Sequence, residues 1–188
     1  MFTLKRALLS FVVVVAATLG SVGAASASSA ATPYCGITWG SLPRVDNAPS
    51  TAALLDARSG QHDCYDRVVF EFQGPATGYS VGYADQVYSE GQGKALSIAG
   101  GAKLGVNLQA PAYDVQTGAA TYPHNAGAHV ANLNGYRTLR DVVYGGSFEG
   151  HTTFGVGTRA RLPFRVFTLA GPGTHSRIVV DVAHQWSQ

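Results

Sequence analysis

Charged residues are scarce in this sequence, and neither sign predominates. Its 188 residues include 13 Lys and Arg and 11 Asp and Glu, which gives a formal net charge of +2. Two of the basic residues, Lys5 and Arg6, lie in a segment that we expect to be removed, so the mature chain would carry 11 charges of each sign. A nucleic-acid-binding protein needs a surplus of Lys and Arg against phosphate. We therefore expect no nucleic-acid partner.

Long apolar runs are also missing, apart from one short run near the N-terminus. Residues 7–19 carry no charge, follow Lys5 and Arg6, and precede the small residues Ala-Ser-Ala at 25–27. This order is typical of a secretory signal peptide, and the run is shorter than the roughly 20 residues of a membrane span. We predict a signal peptide over residues 1–27, a flexible tail over residues 28–34, and a secreted protein with no membrane anchor.

Cysteine is limited to Cys35 and Cys64. Two cysteines in an exported chain predict a disulfide bond between them, because the extracellular compartment is oxidising. The bond would close a loop of about 30 residues and stabilise the fold by roughly 3–4 kcal/mol. Together with the nearby His62 the two cysteines fall short of a four-ligand zinc set. We expect no metal and no cofactor.

Helical periodicity is absent after residue 55. Apolar residues instead alternate with polar or small residues in short segments, which is typical of half-buried strands. The predicted strands are residues 67–72, 79–84, 104–109, 139–144, 152–156, 164–169 and 177–183. One short helical turn is expected within residues 49–55. We predict an all-β fold, an antiparallel β-sandwich or barrel-like single domain over residues 35–188.

Two of the predicted strands share one pattern, in which an Arg is followed four residues later by a carboxylate. The pairs are Arg67 with Glu71 and Arg177 with Asp181, and the residues between them are mostly apolar. Either these are ordinary strands whose charges project into solvent, or the pattern marks a pseudo-repeated sandwich.

Two motifs suggest enzymes but lack the structural context that they need. Residues 78–82 match the G-x-S-x-G nucleophile elbow, which requires a tight turn between a strand and a helix, yet Ser80 lies inside a predicted strand. Gly155 and Gly157 match a loose dinucleotide fingerprint, but a strand and not a helix follows them, so a hairpin is expected there. We expect no enzyme activity. A small secreted hydrolase that uses Ser80 or His124 is the alternative.

The longest spacer, residues 110–134, contains the candidate ligand contacts. Loops of this length are usually functional or disordered, and aromatic faces suit stacking on sugar rings. A second candidate is a small anion-attracting cluster of Arg159, Arg161 and Arg165, with an ordinary solvated edge as its alternative. The predicted ligand-binding residues are Tyr113, Asp114, Tyr122, His124 and Arg165.

Several segments resemble the AMIN-like domain family, which is found in exported proteins of high-GC Gram-positive bacteria. They are HDCYDRVVFEF at 62–72, SFEG at 147–150 with FGVG at 154–157, PFRVF at 163–167 and SRIVVDV at 176–182, and CGITWG at 35–40 resembles the opening of the domain. The family is related to the AMIN domain, a β-sandwich that is implicated in holding cell-wall amidases and secretins to peptidoglycan. The resemblance implies a non-catalytic, envelope-binding module. Its expected partner is a cell-wall polymer, peptidoglycan, or alternatively an envelope protein that it binds or inhibits.

Overall fold

A computed structural model describes residues 33–186, which form nine β-strands and one turn of 3₁₀ helix, Tyr34–Gly36. The strands are β1 Arg44–Asp46, β2 Ala53–Gln61, β3 Tyr65–Gln73, β4 Tyr79–Ala84, β5 Ala102–Leu108, β6 Leu139–Phe148, β7 His151–Thr158, β8 Phe164–Ala170 and β9 Ser176–Ala183. The predicted signal peptide and residues 28–32 of the predicted tail lie outside the described residues.

The strands form two antiparallel sheets. One has five strands in the order β1-β4-β5-β7-β6, and the other has four in the order β2-β3-β9-β8. Apolar side chains from both sheets fill one core between them, in which the rings of Phe70 and Phe154 lie 4.7 Å apart. The predicted all-β fold is confirmed, and the architecture is a single sandwich domain.

Strand β3 shows why the sequence alternation produces this packing. Successive side chains of a strand point to opposite faces, so every second residue faces the core. Val68, Phe70 and Phe72 are at most 1% exposed. Arg67 and Glu71, in the alternate phase of the strand, are only partly buried and lie on the outer face.

The two strands with the repeated Arg and carboxylate pattern, β3 and β9, are antiparallel neighbours. Antiparallel pairing of the same pattern places Arg67 opposite Asp181 and Glu71 opposite Arg177. Arg67 binds Asp181 through Nε at 2.6 Å and through a terminal nitrogen at 2.9 Å. These charges therefore face each other across the strands instead of being solvated singly.

Two local predictions are wrong. The helical turn expected within residues 49–55 does not form, because residues 53–61 pair with β3 as strand β2, and a bulge between Leu54 and Asp56 masks its period-two pattern. The hairpin expected after Gly157 is also wrong, because β7 and β8 belong to different sheets and residues 159–163 cross between them.

A second, smaller core lies on the outer face of the five-stranded sheet. Residues 85–101 run across this face and bury Val87, Leu96 and Ile98 against Val143 of β6. The close approach depends on glycine: a Cβ atom at Gly155 would overlap the Ile98 side chain. The glycines of β7 are therefore a packing surface and not a nucleotide-binding loop.

Candidate functional site

The predicted contacts Tyr113 and Asp114 lie in a small turn within the long spacer. The Asp114 carboxylate accepts the backbone N–H groups of Gln116 and Thr117, at 2.9 and 2.8 Å, and the Thr117 hydroxyl. These hydrogen bonds, the backbone one from Thr117 foremost, lower the pKa of Asp114. The Tyr113 hydroxyl accepts the N–H of Gly150. Asp114 thus holds the turn itself, and Tyr113 ties the turn to the connection between β6 and β7.

Tyr122 is a core residue. Its side chain is 4% exposed, and its ring packs edge-on against Tyr144 at 5.1 Å and Phe154 at 5.8 Å. Burial raises the pKa of Tyr122 and raises that of Tyr144 to about 12. His124 is exposed and lies against the Tyr122 ring at 4.5 Å. Stacking of Tyr122 on a sugar would require it to leave the core.

Arg165 lies elsewhere, on the outer face of the four-stranded sheet. It binds the buried Asp181 from the side opposite to Arg67, with Nε at 2.8 Å, and it lies over the rings of Trp39, Tyr65 and Phe167. The other two arginines of the predicted anion-attracting cluster have different partners: Arg159 donates to the backbone oxygen of His184, and Arg161 lies over the Tyr83 ring. The structure does not bring the predicted residues into one site.

A groove that the sequence analysis missed lies on the outer face of the five-stranded sheet. Its floor is glycine, because Gly82 of β4 lies opposite Gly105 of β5. Pro43 forms one wall next to Gly82, and Val87 forms the other next to Gly105. The groove encloses about 380 Å³, within the range of small-ligand sites.

The next cross-strand row of the same face is mostly polar. Val45, Ser80, Asn107 and Thr153 lie opposite one another on β1, β4, β5 and β7, and the last three line the groove. Asn107 and Thr153 both donate to one oxygen of Glu90, at 3.0 and 2.6 Å. Glu90 itself does not line the groove, whereas the Ser80 hydroxyl lines it and has no hydrogen-bond partner among residues 33–186, so Ser80 can bind a ligand.

Tyr88 supplies an aromatic surface at the groove. It lines the cavity and is 56% exposed, so its ring is accessible to a ligand. The residues that line this part of the groove carry no formal charge. An exposed ring beside uncharged polar groups suits a neutral, hydroxyl-rich ligand.

A second, charged hollow adjoins the groove. The two share Tyr83 and Ala84, and the second, of about 600 Å³, is also lined by Asp85, Lys103 and Arg161. Lys103 is partly engaged, since its ammonium donates to the backbone oxygen of Asp85 and to Gln86. This end carries two cations and one anion, so it favours a ligand with negative charge.

The groove has the composition of a binding site. Ser80 lies in the middle of β4, paired with Val45 and Asn107, and the residues lining its groove include no His and no carboxylate. In the described part of the chain no three His, Cys, Asp or Glu residues are grouped to hold a metal ion. Among residues 33–186 no helix has the length and hydrophobicity to cross a membrane.

The sequence contains a signal for this groove, although a weak one. Gly82, Gly105 and Gly155 occupy the same outward phase of three strands that pair in register. Glycine in a strand interior often marks a close approach of another segment or a ligand. Only the strand register shows that two of these glycines form one floor.

Comparisons with known proteins identify the domain. The model of the AMIN-like domain matches residues 52–184, which include strands β2 to β9. Nothing among the curated proteins or the solved structures matches the chain.

Proposed function

The chain belongs to the AMIN-like domain family, which indicates a cell-envelope-related module, and we propose that it is a secreted, non-catalytic protein that binds peptidoglycan in the glycine-floored groove. The observation that carries this proposal is the groove itself: a side-chain-free floor, the exposed ring of Tyr88, and a row of uncharged polar groups. The N-terminal pattern of the sequence supports export, which would deliver the protein to the cell wall.

Sugar rings present apolar C–H faces and a rim of hydroxyl groups. Tyr88 can cover such a face at low entropic cost, because a tyrosine has only two side-chain torsions to fix. The Ser80 hydroxyl both donates hydrogen bonds to sugar hydroxyls and accepts them. The glycine floor lets a flat ring approach the sheet closely.

The charged hollow extends the fit from a plain glycan to peptidoglycan. The peptides that cross-link glycan strands carry carboxylates, which Lys103 and Arg161 would attract. Because the two hollows are neighbours that share Tyr83 and Ala84, a glycan in the groove would place its peptide near these cations.

The first test measures sedimentation of the mature protein, residues 28–188, with purified insoluble peptidoglycan. We expect Tyr88→Ala to weaken the interaction about tenfold, since an aromatic contact is worth about 0.5–1.5 kcal/mol beyond the area that it buries. Phe148→Ala is the matched control, because Phe148 is 52% exposed and does not line the groove. Sedimentation should survive moderate salt, because stacking is screened far less than exposed ion pairs.

A second pair of variants tests the glycine floor. A Cβ atom at Gly105 would lie 3.6 Å from Val87, an ordinary contact, so Gly105→Ala should fold while raising the floor and weakening binding. The control is Gly60→Ala on the other sheet, where the nearest atom is 4.0 Å away. Wild-type binding that none of the groove variants changes would exclude the groove, and absence of wild-type sedimentation would contradict peptidoglycan binding altogether.

A further inference from the structure

The two sheets have four edge strands, and three of them are covered or short. β1 has only three residues. β6 is covered by residues 127–130, where the Val130 N–H donates to Val142 at 2.8 Å. β2 is covered by the long spacer at Leu54, which bonds to Pro111, and beyond Leu54 a bulge and the charged Asp56 and Arg58 guard its edge. The fourth edge, β8, is different.

Strand β8 leaves its outer backbone groups open over residues 166–170. At its start Phe164 exchanges two hydrogen bonds with Gly40, at 3.3 and 2.7 Å, so Phe164 points its N–H and C=O away from β9. Backbone direction alternates along a strand, so Val166, Thr168 and Ala170 point theirs outward too. Among residues 33–186, none pairs with these three on that side.

This edge also lacks the usual guards against pairing with another chain. Natural edge strands carry charges, prolines or bulges. Residues 166–170 read Val-Phe-Thr-Leu-Ala, without charge, proline or glycine, and Leu169 is 37% exposed. An open, uncharged β-strand of this kind is a template for strand addition.

We propose that β8 pairs with β8 of a second copy of this chain, antiparallel and centred on Thr168. In this register Thr168 lies opposite its own copy, Val166 opposite Ala170, and Phe167 opposite Leu169, so every side-chain pair is neutral. Arg165 falls opposite Gly171 and meets no like charge. Gly40 bounds the ladder at one end, and the turn at Gly171 and Pro172 bounds it at the other.

The ladder is short, and the dimer is correspondingly weak. Three residues that each exchange two hydrogen bonds give about six across the interface. A contact of this size lies well below the roughly 1,200–2,000 Å² of standard stable interfaces, so dimers form at high protein concentration only. The proposed dimer is independent of peptidoglycan binding, because β8 belongs to the four-stranded sheet and the groove lies on the five-stranded sheet.

The first experiment measures the mass of the mature protein by sedimentation velocity, from about 1 µM to 1 mM. We expect a concentration-dependent dimer in the wild type, and a loss of at least tenfold in association for Thr168→Lys, which brings two like charges together. Val115→Lys is the control, because it adds the same charge at another exposed position, 51% exposed, in the long spacer. A monomer at all concentrations, or a dimer that Thr168→Lys leaves unchanged, overturns the proposal.

The second experiment tests the register. Directly opposed residues of a hydrogen-bonded pair have Cα atoms about 5.5 Å apart, which permits a disulfide bond. Thr168→Cys should therefore form a covalent dimer on oxidation, whereas Thr174→Cys in the exposed turn before β9 should not. Equal cross-linking of both variants, or of neither, contradicts the pairing of β8 with β8.

Discussion

At the scale of single residues, the polar side chains that hold this fold have partners far away in the sequence. Asp66 is fully buried; its carboxylate accepts the N–H groups of Thr138 and Leu139, at 2.6 and 3.0 Å, and lies 3.0 Å from Nε2 of His184. A buried carboxylate is tolerated only when such partners replace its water. Asp66 thereby ties β3 of one sheet to the start of β6 in the other.

The Glu71 carboxylate, at the surface, also has partners from other segments of the chain. They make part of the stability of the folded protein depend on pH. Hydrogen bonds from His175, at 2.8 Å, and from Arg58 lower the pKa of Glu71. A lowered pKa stabilises the fold above the pKa of the unfolded chain, and this contribution is lost as the pH falls through the pKa of the folded protein. We expect Glu71→Gln to lower the Tm by about 2 °C at pH 6–7, an effect that should shrink as the pH falls through the pKa of Glu71 in the folded protein.

Thermal unfolding of both proteins between pH 2.5 and 7 measures this difference. Glu149→Gln is the control, because Glu149 is exposed and makes no ion pair among the described residues. A Tm difference that stays constant over the whole range would show that Glu71 acts through packing and not through its charge.

At the scale of elements, glycine decides which segments can lie on the five-stranded sheet. Gly145, Gly155 and Gly157 face residues 96–99, and a Cβ atom on each would come closer to them than side chains normally allow. Gly82 and Gly105 leave the neighbouring stretch of the same face open. The glycines of this face thus form both a covered packing surface and the floor of a groove.

Gly155→Ala should separate these two roles. The added methyl group overlaps Ile98 and should destabilise the protein by about 1–3 kcal/mol, because the smaller core must shift. Urea unfolding measures the loss, and Gly105→Ala, which has room, should stay within about 0.5 kcal/mol of the wild type. Equal stability of Gly155→Ala and wild type would contradict this account of how residues 85–101 are held.

At the scale of the whole molecule, one covalent bond fastens the N-terminal part of the described chain to the sandwich. The predicted bond between Cys35 and Cys64 is present. Close to it, Trp39 packs on Tyr65 with ring centroids 5.9 Å apart, and Gly40 pairs with Phe164. The disulfide therefore helps to keep Gly40 at the β8 edge and Trp39 over Arg165.

Removal of this bond should weaken the fold without changing its topology. We expect Cys64→Ser to cost about 2–5 kcal/mol in urea unfolding, because the unfolded chain regains the freedom of a loop of about 30 residues. Wild-type protein unfolded under reducing conditions should show the same loss, which serves as the control. Thiol titration of denatured, unreduced wild-type protein should find no free thiol, and a result of two would contradict the bond.

Local patterns in the amino-acid sequence were enough to predict the fold class, the disulfide and the family. Period-two alternation is a local property, and it is clear where one face of a strand meets the core and the other meets solvent, as in β3 and β9. It failed at β2, where the bulge shifts the phase, and at β1, which has only three residues.

The position of the candidate ligand site, in contrast, depends on tertiary packing. Tyr122 and Tyr88 are the same residue type in irregular segments, yet one is buried against Tyr144 and the other is 56% exposed beside the groove. The exposure of each tyrosine depends on which segments pack over it. The groove floor depends on the strand register that sets Gly82 opposite Gly105. Register and packing follow from contacts between residues distant in the chain, and local sequence patterns do not contain that information.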